Sequence, residues 1–167
     1  MKGYLDITFG PMYSSKSASL IDEAHRYIDS QKMRGNFKNC LIINHILDTR
    51  DINKSGNITT HSSCIKKIND NIKTISVSRL TDVPLDLIKE SDYIAVDEAQ
   101  LYDDLINRVQ VWVLHENKHV HCCGLVGDTN KDKFGYLSDL LPLADNVVQK
   151  KAFCALCENK VQNACFT

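Results

Sequence analysis

An eight-residue run, Gly10-Pro11-Met12-Tyr13-Ser14-Ser15-Lys16-Ser17, constrains this chain more than any other feature. It stands between Tyr4–Phe9, which is short, apolar-rich and β-prone, and a helical pattern from about Lys16 to Ser30 with Leu20, Ile21, Ala24 and Tyr27 on one face. A strand, a tight loop and a helix in that order are what the phosphate-loop pattern G-x-x-x-x-G-K-[ST] requires. Successive backbone N–H groups and the helix N-terminus turn positive potential toward phosphate oxygens. Lys16 can bridge β- and γ-phosphates, and the Ser17 hydroxyl can ligate Mg²⁺. Ser15 occupies the place of the second glycine. If the loop needs a positive φ there, a residue with a Cβ costs about 1–2 kcal/mol, which weakens binding without forbidding it. Taken alone, the run is equally a strand–turn–helix whose Lys-Ser merely opens a helix.

The rest of the chain repeats the alternation. Cys40–Asn44 reads as a fully buried strand, and 45–71 as a long polar loop with a hairpin near Ile58–Thr60. Ile75–Val77 is a further short strand, and Pro84 opens a weak helix over Leu85–Lys89. Tyr93–Val96 is strand, Asp103–Glu116 has helical spacing, His119–Leu125 is strand, Tyr136–Leu143 is a short helix and Asn146–Val148 a last strand. Strands alternating with helices give an α/β class with a mainly parallel sheet and flanking helices. The division expected is a nucleotide-binding domain over 1–150 and a small tail over 151–167.

Composition narrows the class of function. Hydrophobic residues make up 43% and charged residues 25%, with a formal net charge of −1. That balance argues against a general nucleic-acid or membrane-surface binder. No apolar run approaches a membrane span, and the N-terminus lacks a signal-peptide pattern, so a cytoplasmic location is expected. The seven cysteines are odd in number and only Cys154 and Cys157 have motif spacing. Buried thiols plus a metal-binding pair fit this better than a disulfide framework.

The segment Tyr93-Ile94-Ala95-Val96-Asp97-Glu98-Ala99-Gln100 strengthens the phosphate-loop reading. It is an apolar strand ending in a carboxylate, and parallel strands bring their C-terminal ends to the ligand crevice of open α/β sheets. Asp97 is placed to hold Mg²⁺ directly or through water. Glu98 is then a second carboxylate near the γ-phosphate, able to take the proton of an attacking hydroxyl. The plainer alternative is a solvated strand end or a helix N-cap.

GPMYSSKS, LDTR, TTH, YIAVDEAQLYDDL, FGYLSDLLPLAD and a CxxC, in that order, resemble thymidine kinases of the cellular and poxviral zinc-ribbon class over nearly the whole chain. The resemblance implies a P-loop α/β domain with a zinc-ribbon tail, and transfer of the ATP γ-phosphate to the 5′-OH of thymidine. It assigns Gly10 to Ser17 and Arg50 to ATP phosphates, Ser17 and Asp97 to Mg²⁺, and Glu98 to general base. It assigns Ile21, Gln100, Leu101, Leu125, Thr129 and Thr167 to the nucleoside. It also implies a homo-oligomer, a tetramer in the family.

Several positions depart from the family pattern. Ser15 replaces the glycine, Ser62-Ser63 stands where Asp-Arg is usual, and Thr129 stands where a Phe stacks on thymine. Losing such a stack costs roughly 1–3 kcal/mol, on the range for base stacking. Cys154 and Cys157 match the first zinc pair, but the second pair and the nucleoside-covering loop are missing before Thr167. Three readings stand side by side: a thymidine kinase, a nucleotide-binding pseudoenzyme with a structural or regulatory role, and a zinc-ribbon interaction module.

Overall fold

The computed structural model describes residues 2–36, 38–47, 52–53, 57–59, 65–66, 70–154 and 163–164. In chain order these form β1 (Tyr4–Phe9), α1 (Lys16–Met33), β2 (Cys40–His45), β3 (Ile52–Asn53), β4 (Asn57–Thr59), β5 (Ile65–Lys66), β6 (Ile72–Val77) and α2 (Leu85–Glu90). Then follow β7 (Tyr93–Val96), α3 (Leu105–Gln110), β8 (His119–Gly124), β9 (Asn146–Gln149), β10 (Ala152–Phe153) and β11 (Asn163–Ala164). The main sheet has six strands in the order β6-β2-β7-β8-β1-β9, and every neighbouring pair is parallel. The α/β class with a parallel sheet and flanking helices is therefore what the chain adopts.

Parallel strands packed on both faces need apolar side chains at every position rather than at alternate ones. All six residues of β2 and all four of β7 are buried. The period of two then divides them between two cores. Leu41, Ile43, Ile94, Val96, Val120 and Cys122 face one side, with Trp112 and Leu105. Cys40, Ile42, Tyr93, Ala95 and Cys123 face the other, covered by Leu20, Ile21, Ala24 and Ile28 of α1. Full burial of each such aliphatic side chain stabilises the fold by about 1.5–3 kcal/mol. Tyr27, on the same helix face, is half-buried against Tyr93 with ring centroids 4.9 Å apart. The thiols of Cys40, Cys122 and Cys123 are buried, as their apolar segments predict.

Beneath the site, the sheet encloses polar groups that are satisfied internally. His121 Nε2 pairs with Thr8 Oγ1 at 2.9 Å, and His121 Nδ1 with the Tyr93 hydroxyl at 2.9 Å. Burial, the largest influence, lowers the His121 pKa to about 4. Its ring stays neutral, as an imidazole held between two hydroxyls in an apolar core should.

The predicted helix at 103–116 exists in two parts, with α3 continuing as a π-helical stretch over Val111–His115. The predicted short helix near 136–143 is a 3₁₀ stretch, Leu137–Leu143, containing Pro142. The expected hairpin near Ile58–Thr60 is a three-stranded antiparallel sheet in which β4 pairs with β3 and β5. Beyond β9, β10 pairs antiparallel with β11. No helix among the described residues is long and apolar enough to cross a membrane.

Candidate functional site

The phosphate loop runs from the end of β1 at the C-terminal edge of the sheet into the first turn of α1. Its backbone is strained where the sequence suggested: Ser15, the residue before α1, has φ 61° and ψ 32°. Tyr13 also has φ 61°. Left-handed backbone at a residue with a Cβ costs about 1–2 kcal/mol, and such strain gathers at functional sites. The loop is tied together through the Pro11 carbonyl, which accepts hydrogen bonds from the Ser14 hydroxyl and the Lys16 ammonium, each at 2.7 Å. Lys16 is thus buried inside the loop, with its ammonium beside the backbone that forms the cradle.

Across the crevice, β7 delivers Asp97. The Ser17 hydroxyl donates to Asp97 Oδ1 at 3.1 Å. The same oxygen accepts the Glu98 backbone N–H at 2.9 Å and the Cys123 thiol at 2.9 Å. Burial first, and the neighbouring Asp97 carboxylate second, push the Cys123 thiol well above its ordinary range. Cys123 therefore remains a donor that helps fix the Asp97 rotamer. Its part here has no sequence motif. It follows from the parallel register of β7 and β8, in which Val96 pairs with Cys122.

Glu98 follows directly in left-handed backbone, φ 47° and ψ 43°, between the end of β7 and a 3₁₀ turn over Ala99–Leu101. Its Oε2 accepts a 2.6 Å hydrogen bond from Gln100 Nε2, and Gln100 Oε1 accepts the Leu125 backbone N–H at 2.9 Å. Gln100, grouped by the resemblance with the nucleoside residues, is buried with both ends of its amide engaged by protein.

A cleft of about 450 Å³ opens between the start of the phosphate loop, at Gly10 and Pro11, and the residues after β8. Leu125 and Val126 line it, and Lys131 and Lys133 stand at its border with Asp128. The loop beyond β8 is folded on Asp128, whose Oδ1 accepts the backbone N–H groups of Asn130 and Asp132 at 2.8 and 2.9 Å. Of the residues assigned to the nucleoside by resemblance, Leu125 lines this cleft. Ile21 is packed in the core beneath α1, Leu101 is half-buried and Thr129 is exposed on the loop. Arg50 and Thr167 lie outside the described residues, as do Ser62, Ser63 and Cys157. Cys154, the first residue of the expected zinc pair, is half-buried just after β10.

This geometry joins the two motifs that sequence alone left 80 residues apart. A family model described as thymidine kinase matches residues 3–167. The chain belongs to the thymidine kinase family. Thymidine kinase of Amsacta moorei entomopoxvirus is 29% identical over 156 residues, covering 92% of this chain and 79% of that protein. Thymidine kinase of Choristoneura biennis entomopoxvirus is 28% identical over 159 residues, covering 93% and 78%. Thymidine kinase of Variola virus is 29% identical over 155 residues, covering 93% and 78%. Within a thymidine kinase, the cleft beside Leu125 has a size suited to a small ligand, since such sites typically measure about 300–1,000 Å³.

Proposed function

We propose that this thymidine kinase family member transfers the γ-phosphate of ATP to the 5′-OH of thymidine, with Glu98 as general base, in pyrimidine deoxynucleoside salvage. One observation carries the reading: Ser17 and Asp97 meet at 3.1 Å with Glu98 as the next residue. A phosphate cradle, a pair of hard oxygen donors and a second carboxylate are thereby gathered at one sheet edge.

The loop amides and Lys16 bind and orient the triphosphate. For the ammonium to reach phosphate oxygens, its bond to the Pro11 carbonyl must be exchanged for them. Ser17 Oγ and Asp97 are the oxygen ligands that Mg²⁺ favours, and would hold it beside the phosphate loop. Bound there, the ion would neutralise charge on the transferring group. Glu98 accepts the 5′-OH proton as the bond from that oxygen to phosphorus forms. The bond from phosphorus to the β–γ bridging oxygen breaks, and ADP leaves. The cleft lined by Leu125 would take the nucleoside, and Gln100 links Leu125 to this carboxylate.

Thymidine-dependent ADP release tests the reading. The purified protein should release ADP only when thymidine is added. Glu98→Gln keeps the side-chain shape and removes its basicity. It should lower kcat by about 10²-fold or more, while ATP affinity changes little. An unchanged kcat removes Glu98 from the role of base. ATP binding with no thymidine-dependent turnover favours a nucleotide-binding protein that does not transfer phosphate.

A further inference from the structure

We propose that Gln100 is a positioning residue that holds the Glu98 carboxylate and couples it to the residues lining the nucleoside cleft; this rests on Glu98 acting as the base. Glu98 needs external support. It caps a 3₁₀ turn with φ 47°: its carbonyl accepts the Leu101 N–H and its N–H donates to Asp97 Oδ1, which hold the backbone but leave the side chain to be oriented by other groups. A glutamate side chain has several rotatable bonds, and a free one would spend little time in a single orientation.

Gln100 supplies the support from both ends of its amide. The Leu125 backbone N–H can only donate, so the atom 2.9 Å from it is the amide oxygen. The amide nitrogen is therefore the atom that donates to Glu98 Oε2 at 2.6 Å. The orientation of the amide is thus fixed by chemistry rather than chosen. Leu125 lines the cleft beside the phosphate loop, so a single side chain joins the base to the cleft wall.

The surroundings are built around this amide. Gly124 has no side chain, and a Cβ there would lie 2.0 Å from Gln100 Oε1. A Cβ on Gly135 would lie 2.1 Å from the Gln100 carbonyl oxygen. The glycines leave the room that the Gln100 side chain and backbone fill. A displacement of about 1 Å at a reacting group can cost on the order of 10²-fold in rate, so a lost tether should register in turnover.

The experiment is a double-mutant cycle on kcat, with KM measured for ATP and thymidine. Gln100→Met keeps the length of the side chain and removes both hydrogen bonds. It should lower kcat by about 10-fold or more with the KM for ATP changed less than about threefold. In a Glu98→Gln background, the same substitution should lower kcat by less than about twofold, because the group it positions is already inactive. Gly124→Ala, which pushes a Cβ against Gln100 Oε1, should show the same loss and the same non-additivity. An unchanged kcat in Gln100→Met overturns the proposal, as does an equal factor in both backgrounds. If Glu98→Gln alone leaves kcat intact, the base assignment fails first and the proposal falls with it. A crystal structure of Gln100→Met gives a readout independent of turnover. The Glu98 carboxylate should leave its position, and one that stays within about 0.5 Å overturns the proposal.

Discussion

The Ser17 hydroxyl donates to Asp97 Oδ1 across 3.1 Å, joining the start of α1 to the end of β7. Neither residue is fixed by its own element alone. Ser17 is placed by a strained turn, and Asp97 by three donors converging on one oxygen. Their meeting depends on β8 lying between β1 and β7, since both strands take their register from it.

The Lys16 ammonium donates to the Pro11 carbonyl of the phosphate loop at 2.7 Å. Lys16→Ala should weaken ATP binding by about 10-fold or more, the scale of a hydrogen bond to a charged group. Titration calorimetry measures this directly. Equal affinities for the variant and the parent protein would remove Lys16 from the phosphate site.

Ser15→Gly relieves the left-handed strain at φ 61° without touching another side chain. The strain is already present in the folded loop, so relieving it should stabilise folding, and the weaker ATP binding expected from the sequence does not follow from it. About 1–2 kcal/mol of strain is offset by roughly 0.4–1 kcal/mol from the greater freedom of glycine in the unfolded chain. Urea unfolding should show a gain of up to about 1 kcal/mol, with ATP affinity changed less than about threefold. A loss of stability would show that Ser15 is not strained.

Gly135 has φ 62°, and an added Cβ would strike the Gln100 carbonyl oxygen. Gly135→Ala should therefore cost more than about 2 kcal/mol, lowering Tm by at least roughly 4–8 °C in a chain of this size. A thermal melt within a degree of the parent protein would mean that the turn relaxes freely.

His121 gives the fold an acid sensitivity of defined sign. Its folded pKa is lowered to about 4, chiefly by burial, from an unfolded value of 6.5. Asp6 and Asp97 oppose the shift, while His119 and Lys150 add to it. The unfolded chain takes up the proton first, so this contribution is fully present above pH 6.5 and is lost as pH falls toward 4. The loss is about 2 kcal/mol by pH 5 and about 3 kcal/mol in full. Urea unfolding at pH 7.5 and 5.0 should show this slope, and His121→Gln should flatten it. An equal slope in the variant would assign the acid sensitivity to other groups.

Much of the architecture was legible because parallel strands are buried on both faces. Tyr4–Phe9 and Tyr93–Val96 have the boundaries that their apolar runs predict. The strain at Ser15 was legible too, since a missing glycine in a tight loop has a physical cost. What escaped the sequence arises from residues brought together by register. Cys123 on Asp97, and Gln100 between Glu98 and Leu125, have no recurring spacing to betray them. Hydrophobic periodicity near 110 could not separate an α-helix from the π-helical stretch that follows it. Ile21 lies on the apolar stripe that marks its helix face, and that stripe packs it into the core against the sheet.

β1 comes before both of its neighbours, β8 and β9, in the chain and must wait for them. β1 sits between β8 and β9, and its Leu5 N–H bonds the Asp145 carboxylate 140 residues later. At about 5–20 residues per second, a ribosome needs roughly 7–28 seconds to supply that partner. Through that interval the phosphate loop has a strand behind it but no sheet to stand on. The nucleotide site is therefore complete only once β8 and β9 have emerged, and a chaperone shielding the apolar β1 would be occupied through that interval.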